Sequence, residues 1–390
     1  MSMKKFLFTL FLFVLPPLTL ILPAVVVMGV SGEFYSIEGV VREQMRGDRV
    51  VMYLPSYSYF AQAIKLQAVI ERKPQVVALG TSRAGFFRSA FFTDKSVFYN
   101  ASGAVAALSD FKNFVDSLPS KPKILIVDMD QGFFDPANEK NRQVERPNPF
   151  TASVSRQDVI IESLFNHGGW WQVYADYAAH KFTLNQLGDD TSSVEHIGLH
   201  ALSQTTGLIN DGSDYDGAFF ADRAAQQTML RTIESVASTT SQTTSGYEYG
   251  ADISPTALAV LRDFLATCKA DHTVVIGFIP PMPHAIYEKM SQYPDAYYAH
   301  ALKELGPTLQ RVYAEYGFDL IDSTDPASFG SSDKEMVDVK HASEKSYLRL
   351  FIRMAQSHPE LGTLADVPYL QARLDGAKSN FEVFSLQELH

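Results

Sequence analysis

Gln75-Val-Val-Ala-Leu-Gly80-Thr-Ser82-Arg-Ala84 is a short apolar run that ends in a glycine turn bearing a hydroxyl. It reads as the first strand of a buried core, with Ser82 at its exit. Far downstream, Met336-Val-Asp338-Val-Lys-His341 supplies a carboxylate and an imidazole three positions apart. A serine hydroxyl becomes a useful nucleophile only when a histidine takes its proton and a carboxylate fixes the imidazole tautomer. An early serine and a late Asp–His pair on one loop therefore predict a Ser82–His341–Asp338 system.

Four more runs extend the strand series: Ser96-Val-Phe-Tyr-Asn100, Lys123-Ile-Leu-Ile-Val-Asp128-Met-Asp130, Thr273-Val-Val-Ile-Gly-Phe-Ile279 and Phe318-Asp-Leu-Ile-Asp322. Near-continuous apolar strands of this length suit a parallel sheet covered on both faces. Helical patterns alternate with them at 61–70, 84–92, 105–118, 255–269, 297–316 and 343–356. This predicts a doubly wound α/β core of flavodoxin-like order, with its site at the carboxyl ends of the strands.

Segment composition divides the chain. Residues 70–135 and 253–390 carry the alternation and form the expected core. Residues 32–69 read as a connecting region. Residues 136–252 are rich in polar and aromatic types and include Ser238-Thr-Thr-Ser-Gln-Thr-Thr-Ser-Gly246. That length exceeds a simple crossover, so an inserted lid or subdomain is expected.

Lys4 and Lys5 precede an uncharged stretch from Phe6 to Val30, and the next charge is Glu33. Such a stretch can cross a hydrocarbon core of about 30 Å. Residues 1–31 are thus expected to be a cytoplasmic tip and a transmembrane anchor in the inner membrane, with the remainder extracytoplasmic. A cleaved signal peptide is the rival reading; its apolar core is usually shorter, about 7–15 residues, with a small-residue cleavage site. Pro16, Pro17 and Pro23 are better tolerated in a bilayer helix than in a soluble one.

The 390 residues are 46% hydrophobic and 20% charged, with a formal net charge of −11. No basic stripe could neutralise phosphates, which argues against nucleic acid. The single cysteine, Cys268, excludes an intramolecular disulfide framework and a cysteine-based zinc cluster.

Gly80-Thr-Ser82, Phe98-Tyr-Asn100-Ala-Ser-Gly103 and Asp338-Val-Lys-His341 together resemble the blocks of the SGNH (GDSL-like) hydrolase superfamily. Within it the resemblance is to the membrane-anchored branch of polysaccharide O-acetylation and DltD-like proteins. It covers roughly 70–135 and 270–355. The resemblance implies a serine O-acyltransferase or esterase acting on a cell-envelope or exported glycan, without cofactor or metal. It also implies an acyl donor supplied by a membrane-bound O-acyltransferase partner. Oxyanion donors would be the backbone N–H groups of Ser82 and Gly103. The third block departs from Gly-x-Asn-Asp and reads Asp128-Met-Asp130-Gln131. An ionised Asp130 would repel an oxyanion, which leaves Gln131, or nothing, as side-chain donor. A catalytically weak, SGNH-shaped glycan-binding or assembly component is the alternative. The α/β-hydrolase fold also accommodates Gly80-x-Ser82-x-Ala84, but there the acid and histidine lie on separate loops.

Arg83, Asn100, Asp130 and His284 are further candidates to line the cleft. Arg83 could orient an anionic or carbonyl group, though a solvated charge at a helix start is the plainer expectation. Asp128 and Asp130 could be paired carboxylates, but no ligand cluster accompanies them. Asp211-Gly-Ser-Asp-Tyr-Asp-Gly217 lacks the EF-hand residues and reads as a turn. His196 and His200 share helical zinc spacing without the intervening glutamate. His167, Trp170 and Trp171 could stack on a sugar, or pack in the subdomain core.

Overall fold

The computed structural model describes residues 2–136, 144–166, 168–187, 193–239, 252–292 and 297–389. His167 and most of the Ser/Thr-rich stretch at 238–246 lie outside the described residues. Nine strands occur among the described residues: β1 (Val50–Tyr53), β2 (Val76–Gly80), β3 (Phe98–Ser102), β4 (Ile124–Asp128), β5 (Val194–Ile197), β6 (Thr206–Leu208), β7 (Asp214–Asp216), β8 (Val274–Ile279) and β9 (Asp319–Asp322). They form two sheets, and the chain divides into two compact units.

One unit comprises Ala61–Ser153, Asn210–Asp214 and Ala218–His390. Its sheet runs β3-β2-β4-β8-β9, with every pairing parallel. Counted within the sheet, this is the order 2-1-3-4-5 of a doubly wound layer. β2, β3 and β4 are buried along their whole length, as uninterrupted Val, Ile, Leu and aromatic runs require when helices cover both faces. Helices Ala61–Arg72, Pro255–Ala270 and Tyr297–Glu315 lie against β3, β8 and β9 respectively.

The helix expected at 84–92 does not form. The chain there makes two single 3-10 turns, Ser82–Ala84 and Ser89–Phe91. Asn100 holds this irregular stretch, its Nδ2 donating to the carbonyls of Ala84 (2.9 Å) and Phe87 (3.0 Å). Of the expected helix at 105–118, only Ser109–Asp116 is α-helical.

The other unit comprises Met1–Phe60, Val154–Ile209 and Tyr215–Gly217. Residues 32–60, read above as a connector, therefore carry a strand of their own, and β1 pairs with β5 in parallel and with β6 in antiparallel. The helix Met3–Val30 is long and apolar enough to cross a membrane. Glu33, the first charge after it, is buried, and its carboxylate accepts the backbone N–H groups of Ser56 (3.0 Å), Tyr57 (3.2 Å) and Leu199 (2.7 Å). These bonds tie the helix exit to two distant segments. Burial raises the Glu33 carboxyl above its ordinary value, and the three amides work in the opposite direction.

Candidate active site

Ser82 stands at the carboxyl end of β2, exposed, as the first residue of its 3-10 turn. Thr81 caps the turn: its Oγ1 accepts from the Arg83 N–H at 3.2 Å and donates to Asp128 Oδ2 at 2.6 Å. Asp128 Oδ2 also accepts the Thr81 N–H at 3.1 Å. A carboxylate at the end of β4 thus holds the residue before the serine at both its polar groups. Gly80 permits this approach, because a Cβ there would overlap the Asp128 Cβ. Burial, reinforced by the charge of Asp130, pushes the Asp128 carboxyl up to about 7.

Ser82 Oγ lies 2.8 Å from His341 Nε2, and His341 Nδ1 lies 2.7 Å from Asp338 Oδ2. The two later residues sit on a tight turn closed by the Met336–Ala342 bridge and by the Val337 N–H bond to the His341 carbonyl (2.8 Å). Asp338 Oδ1 accepts the N–H groups of Lys340 (2.6 Å) and His341 (2.7 Å), which fixes the carboxylate under the ring. Burial works to raise the Asp338 carboxyl; the bond and charge of His341 and the two amides outweigh it, so the group titrates below its usual range.

The helix Glu344–Ser357 that follows carries the turn into register with the serine. Tyr347 on its first turns donates from its hydroxyl to the Arg83 carbonyl. Glu344 forms a fully buried ion pair with Arg88 at 3.0 Å. Neither contact has a signature in sequence, since both join residues more than two hundred positions apart.

The supporting cast differs from expectation. Arg83 is buried, not a solvated charge. Its guanidinium donates to Gln131 Oε1 (2.6 Å), Asp130 Oδ2 (3.3 Å) and the carbonyls of Pro280 (3.2 Å) and Pro281 (2.7 Å). Gln131 is buried, and one of the two Nε2 N–H donors goes to the Pro280 carbonyl at 3.2 Å, which leaves a single donor on a side chain turned away from solvent. Asp130 is paired with Arg83 and accepts the Gly132 N–H at 2.8 Å. Gly103 takes the positive φ that glycine favours (+75°), yet its N–H donates to the Gly80 carbonyl at 2.9 Å and is not free for an oxyanion. Asn100 is fully buried and holds the 84–87 backbone; it does not line a cleft. Within the turn, the Arg83 and Ala84 N–H groups bond to Thr81, and that of Ser82 opens the turn as the remaining donor. The long helix whose dipole would have reinforced it is absent.

His284, at the exit of β8, belongs to a separate pair. Its Nδ1 lies 2.9 Å from Asp325 Oδ1 and its Nε2 lies 3.4 Å from Glu288. The bond to Asp325 raises its pKa above the ordinary imidazole value.

One contributor went unrecognised in the sequence. The segment Asn210–Asp214, expected to be a plain turn, is bolted to the core: Asp211 accepts from the Ser89 N–H (2.7 Å), Lys65 Nζ donates to the Gly212 carbonyl, and Arg88 donates to Ser213 Oγ (2.6 Å). It brings Asp214 against Gly85, with the Asp214 N–H on the Gly85 carbonyl at 2.8 Å. Burial raises the Asp214 carboxyl, while Lys65, Arg88 and His341 pull it down. Asp214 thereby adds a second carboxylate in electrostatic reach of the imidazole. The Asp-Gly-Ser-Asp pattern was its only sequence signal.

These contacts define a parallel α/β unit with a hydrogen-bonded Ser–His–Asp triad at the carboxyl edge of its sheet. No family model matches the chain, and no curated protein or solved structure matches it.

Proposed function

We propose that the protein is a membrane-anchored, extracytoplasmic SGNH-like serine O-acyltransferase or esterase acting on a cell-envelope or exported polysaccharide. The observation that carries this reading is the unbroken chain Ser82 Oγ–His341 Nε2 and His341 Nδ1–Asp338 Oδ2, at 2.8 and 2.7 Å, built on the exposed end of β2. In the reaction, Ser82 Oγ attacks the acyl carbonyl as its proton passes to His341 Nε2. The oxyanion is held at the Ser82 N–H. Collapse breaks the bond to the leaving group, which takes the proton from His341, and Asp338 steadies the imidazolium between the two transfers. The acyl-serine is then resolved by a second hydroxyl, deprotonated by His341: a sugar hydroxyl gives transfer, water gives hydrolysis. An apolar span at the amino terminus, preceded by Lys4 and Lys5, supports the outward orientation; a membrane-borne acyl donor is what the family resemblance implies.

The test is labelling by a fluorophosphonate together with acetate release from an aryl acetate, comparing wild type with Ser82→Ala. Labelling and release that vanish in Ser82→Ala support the reading; equal signals from both proteins overturn it.

A second reading is favoured by one feature. Of the expected oxyanion donors, the Gly103 N–H is taken by the Gly80 carbonyl, and the buried Gln131 amide gives one of its two N–H groups to Pro280. A site with one backbone donor suits slow chemistry, and a weak glycan-binding or assembly role accords with that.

A further inference from the structure

We infer that the helical pair Arg156–Phe165 and Gly169–Ala178 is a membrane-seated collar, whose exposed aromatic and aliphatic side chains enter the outer lipid interface beside the transmembrane helix. The inference rests on the reading of Met3–Val30 as a bilayer span.

The first argument is length. Along Met3–Val30 every residue up to Leu20 is exposed, and covering begins at Ile21. The uncovered apolar part, from Phe6 to Leu20, measures about 22 Å at about 1.5 Å per residue. A hydrocarbon core is about 30 Å thick. Lipid must therefore rise past Leu20 to the level at which the helix is already covered by protein.

The second argument is what covers it. Val173 packs with Ala24 and Met28 in a buried cluster that Trp170 and Tyr174 border. The Tyr174 hydroxyl donates to the Leu20 carbonyl at 2.5 Å, five residues before Val25, which is as far as a span of about 30 Å starting at Phe6 reaches at about 1.5 Å per residue. The short helix thus lies at bilayer depth.

The third argument is its outer surface. Trp171 is 61% exposed, with its ring 6.1 Å from that of Tyr174, and Phe165 and Ile161 of the neighbouring helix are 71% and 56% exposed. Tyr177 and Leu184 are exposed in the same unit. The opposite side of Gly169–Ala178 is polar and satisfied: Gln172 Nε2 donates to Asp176 Oδ1 (2.8 Å) and the Tyr57 hydroxyl to Asp176 Oδ2 (3.1 Å). Tryptophan and tyrosine favour the headgroup level, where an apolar ring and a polar edge are both accommodated. Trp171 is accordingly not a subdomain core residue, contrary to the sequence expectation. Continuity with the span selects lipid as the occupant, because water-facing apolar side chains in such a cluster would be costly.

The chain has only two tryptophans, Trp170 and Trp171, so its tryptophan fluorescence, excited at the red edge where tyrosine does not absorb, reports this helix alone. The full-length protein is reconstituted in phosphatidylcholine vesicles, and retention after alkaline carbonate extraction is scored alongside. With phosphatidylcholine brominated high on its acyl chains, emission is expected to fall about twofold. Chains brominated near their ends should quench less. Trp170→Phe should retain the effect and Trp171→Phe should lose most of it. Retained protein whose emission is untouched by bromolipid and freely quenched by aqueous iodide overturns the inference. Protein released by carbonate overturns the anchor as well. Fluorophosphonate labelling of Ser82 is indifferent to either result, so failure of the collar and failure of the enzymatic reading are told apart.

Discussion

The Arg83 guanidinium donates to the Gln131 amide oxygen at 2.6 Å and so fixes the orientation of that buried amide. The bonds of its two terminal nitrogens turn Arg83 inward, and one Gln131 N–H goes to the Pro280 carbonyl. The same guanidinium gathers the ends of β4 and β8 by way of Asp130 and the Pro280 and Pro281 carbonyls. Arg83→Met should therefore act on stability. Loss of several buried charge-assisted bonds costs about 2–3 kcal/mol, seen as a drop of about 3–5 °C in the thermal midpoint of a unit this size. An unchanged midpoint with a raised KM would instead put Arg83 in contact with substrate.

Asp338 fixes the tautomer of His341, so Asp338→Asn should leave the fold standing and lower the acylation rate about 10³–10⁴-fold. Rates of fluorophosphonate labelling at fixed pH measure this directly. The carboxyl also titrates below its ordinary value. The stability it contributes is thus fully present above the unfolded value, about 3.9, and is lost as pH falls through the depressed folded value. Denaturant midpoints for wild type and Asp338→Asn should converge under acid conditions and separate above about pH 4. A constant gap at all pH values would contradict the assignment.

Asp128 behaves in the opposite sense. Burial pushes it up to about 7 while it grips Thr81. A native carboxyl that holds its proton longer than the unfolded one stabilises fully below about pH 4, and the benefit fades as pH rises to about 7. Asp128→Asn keeps an oxygen acceptor for Thr81 and removes the titration. Urea midpoints measured at mildly acid and mildly alkaline pH should fall more for wild type than for the variant. Equal falls would show that another group dominates.

The strands were legible because each is a contiguous apolar run, and all five lie within two residues of the expected bounds. Their order, 2-1-3-4-5, matches the flavodoxin-like expectation. The Asp–x–x–His spacing was equally plain, since one turn holds both residues. What could not be read were side-chain bonds across the sequence. Arg83 reads as a surface charge until the β4 and β8 exits are known to converge on it. Gly103 reads as a donor until its N–H is seen on Gly80. Asn100 holds an irregular stretch where local propensity alone would favour a helix. The strand at Val50–Tyr53 was missed because four residues in a polar context carry too little periodicity to stand out.

Gly85 and Asp214 give the sharpest test of the segment that sequence reading passed over. A Cβ on Gly85 would overlap Asp214 Oδ2 and would sit 3.0 Å from the Ser82 carbonyl. Gly85→Ala must therefore displace the Asp214 carboxyl, the serine turn or the Asn210–Asp214 segment, which Lys65, Arg88 and Ser89 hold from three sides. A shift of the turn moves the serine relative to His341, whereas a swing of the Asp214 carboxyl alone removes it from its place beside the turn. Labelling of Ser82 is expected to slow at least about tenfold, since small misplacements of reacting groups are costly. Asp214→Asn separates charge from position. It preserves the shape and removes the charge that Asp214 carries when ionised, a state that burial opposes and the neighbouring Lys65, Arg88 and His341 favour. A loss of about three- to tenfold in acylation rate, little reduced by added salt because the group is largely buried, is the expected outcome. A rate equal to wild type at low salt would leave Asp214 a purely structural residue.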